Sequence, residues 1–450
     1  MTTLLVRNGR VIDPASGRDG TMDVAVRDGK IVEIGAGLSV SDADRVIDAA
    51  DRIVAPGLID PHVHFREPGH EEKETIETGS LAAVAGGFTT VCCMPNTQPA
   101  LDCPELIRFV YDRAAERAVC RVFPIGAVSK GRAGERLAEI SLMHDAGAVG
   151  FSDDGDAVAS AGLMARALAE VRETGAALMQ HCQEPTLTHE AVMHAGVVST
   201  RFGLTGWPRV AEEVIIERDI RLNRDIGCRY HVQHVSSAGS VEIIRRARAD
   251  GQPVTAEVSP HHLLLTDEAV DRSGAPDAMA KVNPPLREQH DIDALRQGVA
   301  DGTITVLATD HAPHTSEEKS RPIEDTPFGL IGLEAALALY VKALIEPGLV
   351  GWPKLIELMT TSPAALCGLE AKGLGRLTPG GPADLTIIEP EIEWTIGPES
   401  LAGKGRNTPF MGWTVKGRAE TVVVAGTVRL DRRASTTAGP GAGTVALPVT

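Results

Sequence analysis

The sequence predicts an α/β protein, a (β/α)8 TIM-like barrel carrying a small β-sandwich formed by its N- and C-terminal segments. Three observations predict it. Between residues 57 and 374 apolar strand-like runs alternate with helical stretches, as in parallel strands joined by crossover helices. Both ends of the chain read instead as short alternating strands broken by turn signals. Polar and chelating side chains crowd the C-terminal ends of the central runs, where a barrel keeps its chemistry.

Residues 4–12, 22–34 and 45–54 have the alternation of half-buried strands, with Asn8-Gly9 and Asp28-Gly29 as turns. Residues 383–388, 413–417 and 420–430 share that texture, with turns at Lys416-Gly417 and Ala425-Gly426. Segments 1–56 and 375–430 are therefore expected to pack into one unit, which the chain leaves for the barrel (57–374) and rejoins. Residues 431–450, rich in Ala, Gly, Thr and Pro, read as a flexible tail. The eight central runs are 58–65, 89–95, 121–128, 148–152, 177–181, 230–235, 253–258 and 304–309. Helical stretches at 74–86, 162–174, 209–224, 239–250 and 333–346 separate most of them. No Gly-x-Gly-x-x-Gly follows any run, so a dinucleotide site is unsupported.

Charge narrows the partners. The chain of 450 residues has a formal net charge of −17 and no dense Lys/Arg run, which argues against nucleic acid or an anionic membrane. A small anionic substrate needs only one local arginine and stays open. No apolar stretch approaches the roughly 20 residues that span a bilayer. Arg7 and Arg10 interrupt the N-terminal apolar run, so no secretory signal is expected. Seven cysteines without regular spacing do not make a disulfide framework, and Cys92-Cys93 reads as buried thiols. A reducing cytoplasm fits best.

The run 58–65 ends in His62-Val63-His64, and on a strand residues two apart share a face. Both imidazoles could then reach one metal ion. Further candidates stand at other strand ends: Asp153 or Asp154 after the fourth run, His181 after the fifth, His234 after the sixth and Asp310 after the eighth. Four imidazoles and two carboxylates suit two zinc ions with positions left for water. Such a pair makes water nucleophilic near neutral pH and polarises a carbonyl, while Asp310 could take a proton and later deliver it to a leaving nitrogen. The chemistry is that of amide or imide hydrolysis. Alternation turns His311 away from Asp310, towards packing or support of a ligand. His144, His189, His194 and His290 sit on polar stretches and are expected in solvent; the pattern assigns no role to His261 and His262.

With these residues in view, the chain resembles the class I dihydroorotases of the cyclic amidohydrolase group over most of residues 1–430. PGLIDPHVHFREPG at 56–69 and ATDHAPH at 308–314 are similar to that family's two signatures; MPNT at 94–97, FSDDG at 151–155 and KVNPPLR at 281–287 are similar to further segments. The resemblance implies a zinc-dependent enzyme with two zinc ions per subunit, interconverting dihydroorotate and N-carbamoyl-L-aspartate in pyrimidine synthesis. It implies that His62, His64 and Asp310 hold one metal, that His181 and His234 hold the other, and that Asp154 bridges them. Arg66, Asn96 and His314 would meet the substrate carboxylate, with Asn283 and the Phe328-Gly329 backbone on the ring, and His64 also beside the substrate. A guanidinium forks naturally onto a carboxylate, which agrees for Arg66.

Many relatives, hydantoinases included, bridge their metals with a carboxylated lysine after strand four. Residues 148–156 contain no lysine, and Lys130, the nearest rival, is expected in solvent. Two other readings compete: a hydantoinase or allantoinase acting on an uncharged ring, and a metal-free relative supporting aspartate transcarbamoylase. All six ligand positions are filled, which disfavours the second. A homo-oligomer is expected, and association with aspartate transcarbamoylase is a further possible partnership. The polar stretch 315–327 could form a lid over the site or a passive connection.

Overall fold

The computed structural model describes residues 3–39 and 43–433, so most of the expected tail, from 434 onward, lies outside the described residues. Strands Thr3–Asp13, Arg18–Arg27 and Lys30–Gly35 pair antiparallel in succession. On the other edge of the first strand, Arg45–Asp48 and Ile53–Pro56 both pair parallel to it. The C-terminal strands join there: Leu385–Thr395 pairs with Ile53–Pro56, followed by Thr414–Val424 and Thr427–Asp431. The two ends of the chain thus meet in one hydrogen-bonded sheet of eight strands, which forks beside the first strand. Leu4, Val24, Ile31, Val54, Leu385 and Ile387 form its buried face.

Two expected turns prove to be irregularities within strands. Asn8-Gly9 lies inside the first strand at a register shift, with Asn8 at a φ of 63° and its N–H given to Asp23 Oδ1 at 2.8 Å. A Cβ on Gly9 would come within 2.4 Å of Val54 Cγ2, so close packing and not chain reversal requires this glycine. Gly417, at a φ of 84°, likewise faces the extra residues between Glu389 and Glu393. Asp28-Gly29 and Ala425-Gly426 are turns, as expected.

The central region makes a circuit of eight parallel segments. Leu58–Val63, Phe88–Cys93 and Arg121–Pro124 pair in order, and so do Ala177–Gln180, Arg229–Val232, Val254–Val258 and Val306–Leu307. Phe151 links the two sets through bridges to Gly126 and Leu178, and Val63 pairs with His311 to close the ring. Ile59, Cys92, Phe123, Met179 and Ala308 fill the interior, joined by Ala364 and Leu366 of the helix Thr361–Leu366.

Two runs keep the least regular strand, a single bridging residue at Phe151 and the pair Val306–Leu307. Beyond Phe151 the Asp153 carboxylate accepts the backbone N–H groups of Val128 and Ser129, which draws the chain out of the ladder. In the eighth segment Thr309 Oγ1 donates to Asp60 and Asp310 turns to a φ of 51°. Side-chain hydrogen bonds outcompete the ladder at both places.

The crossover helices carry their own stop signals. Ile76–Gly86 starts at a Thr75/Thr78 capping box and ends at Gly87 in the left-handed region. Ala161–Thr174 runs from a Ser160 cap to Gly175, and Ala238–Ala249 starts at Ser237. Val210–Asn223 occupies the expected 209–224 stretch. The expected helix at 333–346 is divided into a 3-10 turn, the α-helix Ala336–Tyr340 and a π turn from Val341. Tyr340 sits at that junction, its hydroxyl bonded to the carbonyls of Val258 and Ala308. All seven cysteines are free, and Cys92 and Cys93 are buried.

Candidate active site

At one mouth of the circuit the histidines and aspartates meet. His62 and His64, two residues apart, bring their ring centroids to 5.2 Å, as strand alternation requires. Asp154 lies between four imidazoles: Oδ1 is 3.2 Å from His181 Nδ1 and 3.1 Å from His234 Nε2, while Oδ2 is 3.4 Å from His62 Nε2 and 3.3 Å from His64 Nε2. Asp310 Oδ1 is 3.0 Å from His64 Nε2 and 3.5 Å from His62 Nε2. All six side chains are buried. Two groups of donors, His62 with His64 and Asp310, and His62 with Asp154 and His234, are close enough to hold a metal ion.

The outer nitrogens settle which lone pairs face inward. His62 Nδ1 donates to Glu257 Oε1 at 2.5 Å, His64 Nδ1 to Asn96 Oδ1 at 2.8 Å, and His181 Nε2 to Gln183 Oε1 at 3.0 Å. With those N–H groups committed, each ring presents an unprotonated nitrogen to carboxylate oxygens about 3 Å away. His62 Nε2 is a buried nitrogen with no hydrogen-bond partner. Lone pair against anionic oxygen is repulsive unless a cation lies between them, so the donor set fits a divalent metal. Without such a charge the imidazoles must supply it. Burial opposes charge on His62, yet Glu257 and Asp154 outweigh it and hold its pKa well above the usual imidazole range. Burial likewise opposes charge on Asp154, which the surrounding histidines, His62 first, hold well below the usual carboxylate range.

Asp153, the other candidate of the fourth run, is committed elsewhere: its carboxylate holds Val128 N and Ser129 N at 2.9 and 3.0 Å and takes the Ser129 hydroxyl as well. Lys130 points away, donating to the Asp102 carbonyl at 2.9 Å with Glu139 at 3.7 Å; it is partly buried, where solvent was expected. His311 faces away from the cluster and accepts the backbone N–H groups of Gly332 and Leu333. His261 and His262 are buried behind the site, both against Ser259 Oγ.

His194 departs from expectation. Its polar neighbours in sequence suggest solvent, but it is buried against Arg287 Nη1 at 3.2 Å. Burial, with the charges of Arg287 and Arg209, pushes its pKa down to about 4. His189 and His290 are exposed and His144 is half-buried.

Beside the cluster lies a cavity of about 280 Å3 whose walls include His64, Asp154, His181 and Asp310 together with Arg66, Asn96, Asn283, His314, Phe328 and Gly329. A larger cavity of about 1030 Å3 shares Arg132, Asn283 and Phe328 with it and opens outward. Arg66 is buried, and burial pushes its pKa down to about 10, so it stays cationic at neutral pH. Burial and the charges of Arg66 and Lys319 keep His314 neutral, with Nε2–H donated to the Phe328 carbonyl at 2.7 Å. A Cβ on Gly329, at a φ of 137°, would meet Ala312 at 2.8 Å and His314 Nε2 at 2.9 Å, so only glycine lets this strand of backbone approach. Arg66, His234 and Asp310 also adopt positive φ (63, 30 and 51°), a conformation that cost confines to places where surroundings impose it.

Three supporting residues escaped the sequence. Glu257 joins His62 to His231, whose Nε2 lies 3.1 Å from its second oxygen; a lone carboxylate inside the apolar run 253–258 was the available signal. Gln183 holds His181 and accepts from Asn283 Nδ2 at 3.1 Å. Asn407, from the C-terminal segment, bonds the backbone of Ala312, His314 and Gly329, and nothing local marks it. Glu257→Gln is expected to weaken metal binding by ~10–100-fold, the usual cost of losing a carboxylate behind a ligating histidine. Metal titration of the apoprotein measures it; unchanged affinity would detach Glu257 from the site.

Residues 51–240 match the family described as Dihydro-orotase-like. Dihydroorotase from Pelotomaculum thermopropionicum is 48% identical over 96% of this chain and 99% of its own length. Dihydroorotase from Pelobacter propionicus is 46% identical over 94% of this chain and 99% of its own. Among solved structures, L-hydantoinase (dihydropyrimidinase) from Arthrobacter aurescens superposes with a TM-score of 0.87 at 27% identity, covering 99% of this chain and 98% of that one. Likeness to the hydantoinase extends to the fold, whereas identity near one half over nearly the whole length is shared with the dihydroorotases: the chain belongs to the dihydroorotase family.

Proposed function

We propose that this protein interconverts (S)-dihydroorotate and N-carbamoyl-L-aspartate, as a zinc-dependent cyclic amidohydrolase of the class I type on a (β/α)8 barrel. The observation that carries it is the shared cavity: a buried guanidinium and the imidazole–carboxylate cluster line one space of about 280 Å3. An anion held at Arg66 would present its ring to the cluster. His62, His64 and Asp310 would hold one zinc ion and His181 and His234 a second, with Asp154 between. Bound there, the ions would lower the pKa of water and polarise the ring carbonyl.

The chain's own residues supply the rest. Arg66 and Asn96 donate to the carboxylate, with His314 lining the pocket beside Arg66, while Asn283 and the Phe328-Gly329 backbone meet the uncharged end of the ring. Asp310 takes the proton of the attacking water and returns it to the ring nitrogen as the amide C–N bond breaks. The new carboxylate leaves N-carbamoyl-L-aspartate, and ring closure runs the same path backwards with Asp310 starting protonated. An aspartate at position 154, with Lys130 directed to Asp102, supports class I over a lysine-bridged hydantoinase site. A cytoplasmic homo-oligomer, with aspartate transcarbamoylase as a candidate partner, completes the proposal; no helix among the described residues is long and apolar enough to cross a membrane.

Arg66→Met tests it. The variant should lose far more activity on dihydroorotate than on dihydrouracil, since a charge-assisted contact contributes on the order of 1.5–3 kcal/mol. Steady-state kinetics on both substrates decides. Equal losses would remove Arg66 from carboxylate recognition and reopen the hydantoinase alternative.

A further inference from the structure

The cavity wall that carries Asn283, Phe328 and Gly329 comes from two segments, 278–283 and 319–329, and two buried lysines sew them together. Lys319, 3% exposed, donates to the carbonyls of Ala278 at 3.0 Å, Lys281 at 3.3 Å and Pro327 at 3.0 Å. Lys281, also 3% exposed, reaches the opposite way, to the carbonyls of Ile323 at 2.6 Å and Glu324 at 3.2 Å. Its ammonium lies 4.5 Å from the centre of the Phe328 ring, and its own carbonyl accepts the Gly329 N–H at 3.1 Å. Each segment thus sends one ammonium into the carbonyls of the other. Among the described residues neither makes an ion pair with a carboxylate; both are held by backbone.

Such burial has a cost. An ammonium taken from water is unfavourable unless its donors are satisfied, and an apolar side chain of similar volume would fill the same space more cheaply. What a carbonyl cage adds is geometry, because it fixes main chain against main chain. The main chain concerned is the part that faces the cavity: Phe328 O holds His314, Gly329 N is bonded to Lys281 O, and Asn283 lies two residues from Lys281.

We propose that Lys281 and Lys319 are positioning residues for substrate recognition, a reciprocal clamp that sets the spacing between Asn283 and the Phe328-Gly329 backbone; this rests on the assignment of those groups to the ring. Neither lysine lines the cavity beside the cluster, and both donate to backbone carbonyls rather than to the candidate metal ligands. The clamp acts on binding geometry, so its loss falls on KM while the cluster that does the chemistry stays loaded.

Kinetics of the full zinc-loaded chain with dihydroorotate, for Lys319→Met, Lys281→Met, Lys319→Arg and Asn283→Ala, tests it alongside metal content. Each methionine variant should raise KM by at least ~10-fold, within the range that misplacing a binding group by an ångström produces, with unchanged zinc and a smaller change in kcat. Lys319→Arg, which keeps a charged donor, should recover part of that KM. Lys319→Met added to Asn283→Ala should raise KM by a smaller factor than Lys319→Met alone, because part of what the clamp positions is already gone. Amide exchange across 326–330 should quicken in the methionine variants. A folded methionine variant with wild-type KM overturns the clamp, as does a change confined to thermal stability. Should Lys319→Met not fold, Lys281→Met and Lys319→Arg decide by the same criterion. Unchanged KM in Asn283→Ala would instead sink the ring assignment, and wild-type amide exchange across 326–330 in the methionine variants would then sink the clamp.

Discussion

Asp310→Asn is expected to keep much of its zinc and lose both ring opening and ring closure by at least ~10²-fold, the scale of general acid–base catalysis. The side chain is asked to do two things. As a ligand it offers Oδ1 beside His62 and His64, and the amide oxygen of asparagine can replace that in part. As a proton carrier it has no substitute, since an amide does not accept the proton of water at neutral pH. Hydrolysis needs the carboxylate, so its rate should rise with pH through the pKa of this group. Cyclisation needs the acid and should fall over the same window. Zinc content with initial rates in both directions measures the effect; a metal-loaded variant with near-normal turnover either way would assign the proton to another residue.

Asp154→Ala should be more damaging to metal binding than any supporting change, exceeding the ~10–100-fold loss typical of a residue behind a ligand. Among the described residues Asp154 is the one carboxylate whose two oxygens face separate pairs of imidazoles. Its removal leaves the nitrogens of His181 and His234, 2.9 Å apart, without the anion that both approach. On the two-ion proposal the variant retains at most one zinc. Asp153→Ala makes the contrast, because that carboxylate holds Val128 and Ser129 and its loss strands buried backbone N–H groups at about 1–3 kcal/mol of stability. It should melt lower yet bind zinc. The reverse outcome, metal lost from Asp153→Ala and kept by Asp154→Ala, would exchange the two assignments.

Much of the site was legible because its chemistry is written locally. His62-Val63-His64 needed only the pleat to bring both rings into one cluster, and the other candidate ligands stood at the ends of apolar runs that must be parallel neighbours. The runs themselves were less exact. Those at 148–152 and 304–309 are apolar enough for strands, yet Asp153, Thr309 and Asp310 spend their hydrogen bonds in ending them. Asn8-Gly9 and Lys416-Gly417 carry turn chemistry but sit in bulges, since a left-handed residue serves either purpose and the partner strand chooses.

By itself the sequence determined the alternation of strand and helix, the union of the two chain ends, and the residue types of the site, because periodicity and donor chemistry are local properties. Chemistry alone left Asp153 and Asp154 as equals, with Asp154 favoured only by the family resemblance; the sequence placed His194 in solvent and passed over Glu257, Gln183 and Asn407. Only the tertiary structure decided these. Which of two adjacent carboxylates faces four imidazoles depends on where Val128 and Ser129 lie, and His194 is buried because Arg287 lies against it. Glu257 matters through a histidine 195 positions earlier, and Asn407 through backbone nearly 80 positions away or more. A hydrogen bond is made by neighbours in space, and no spacing along the chain encodes that proximity.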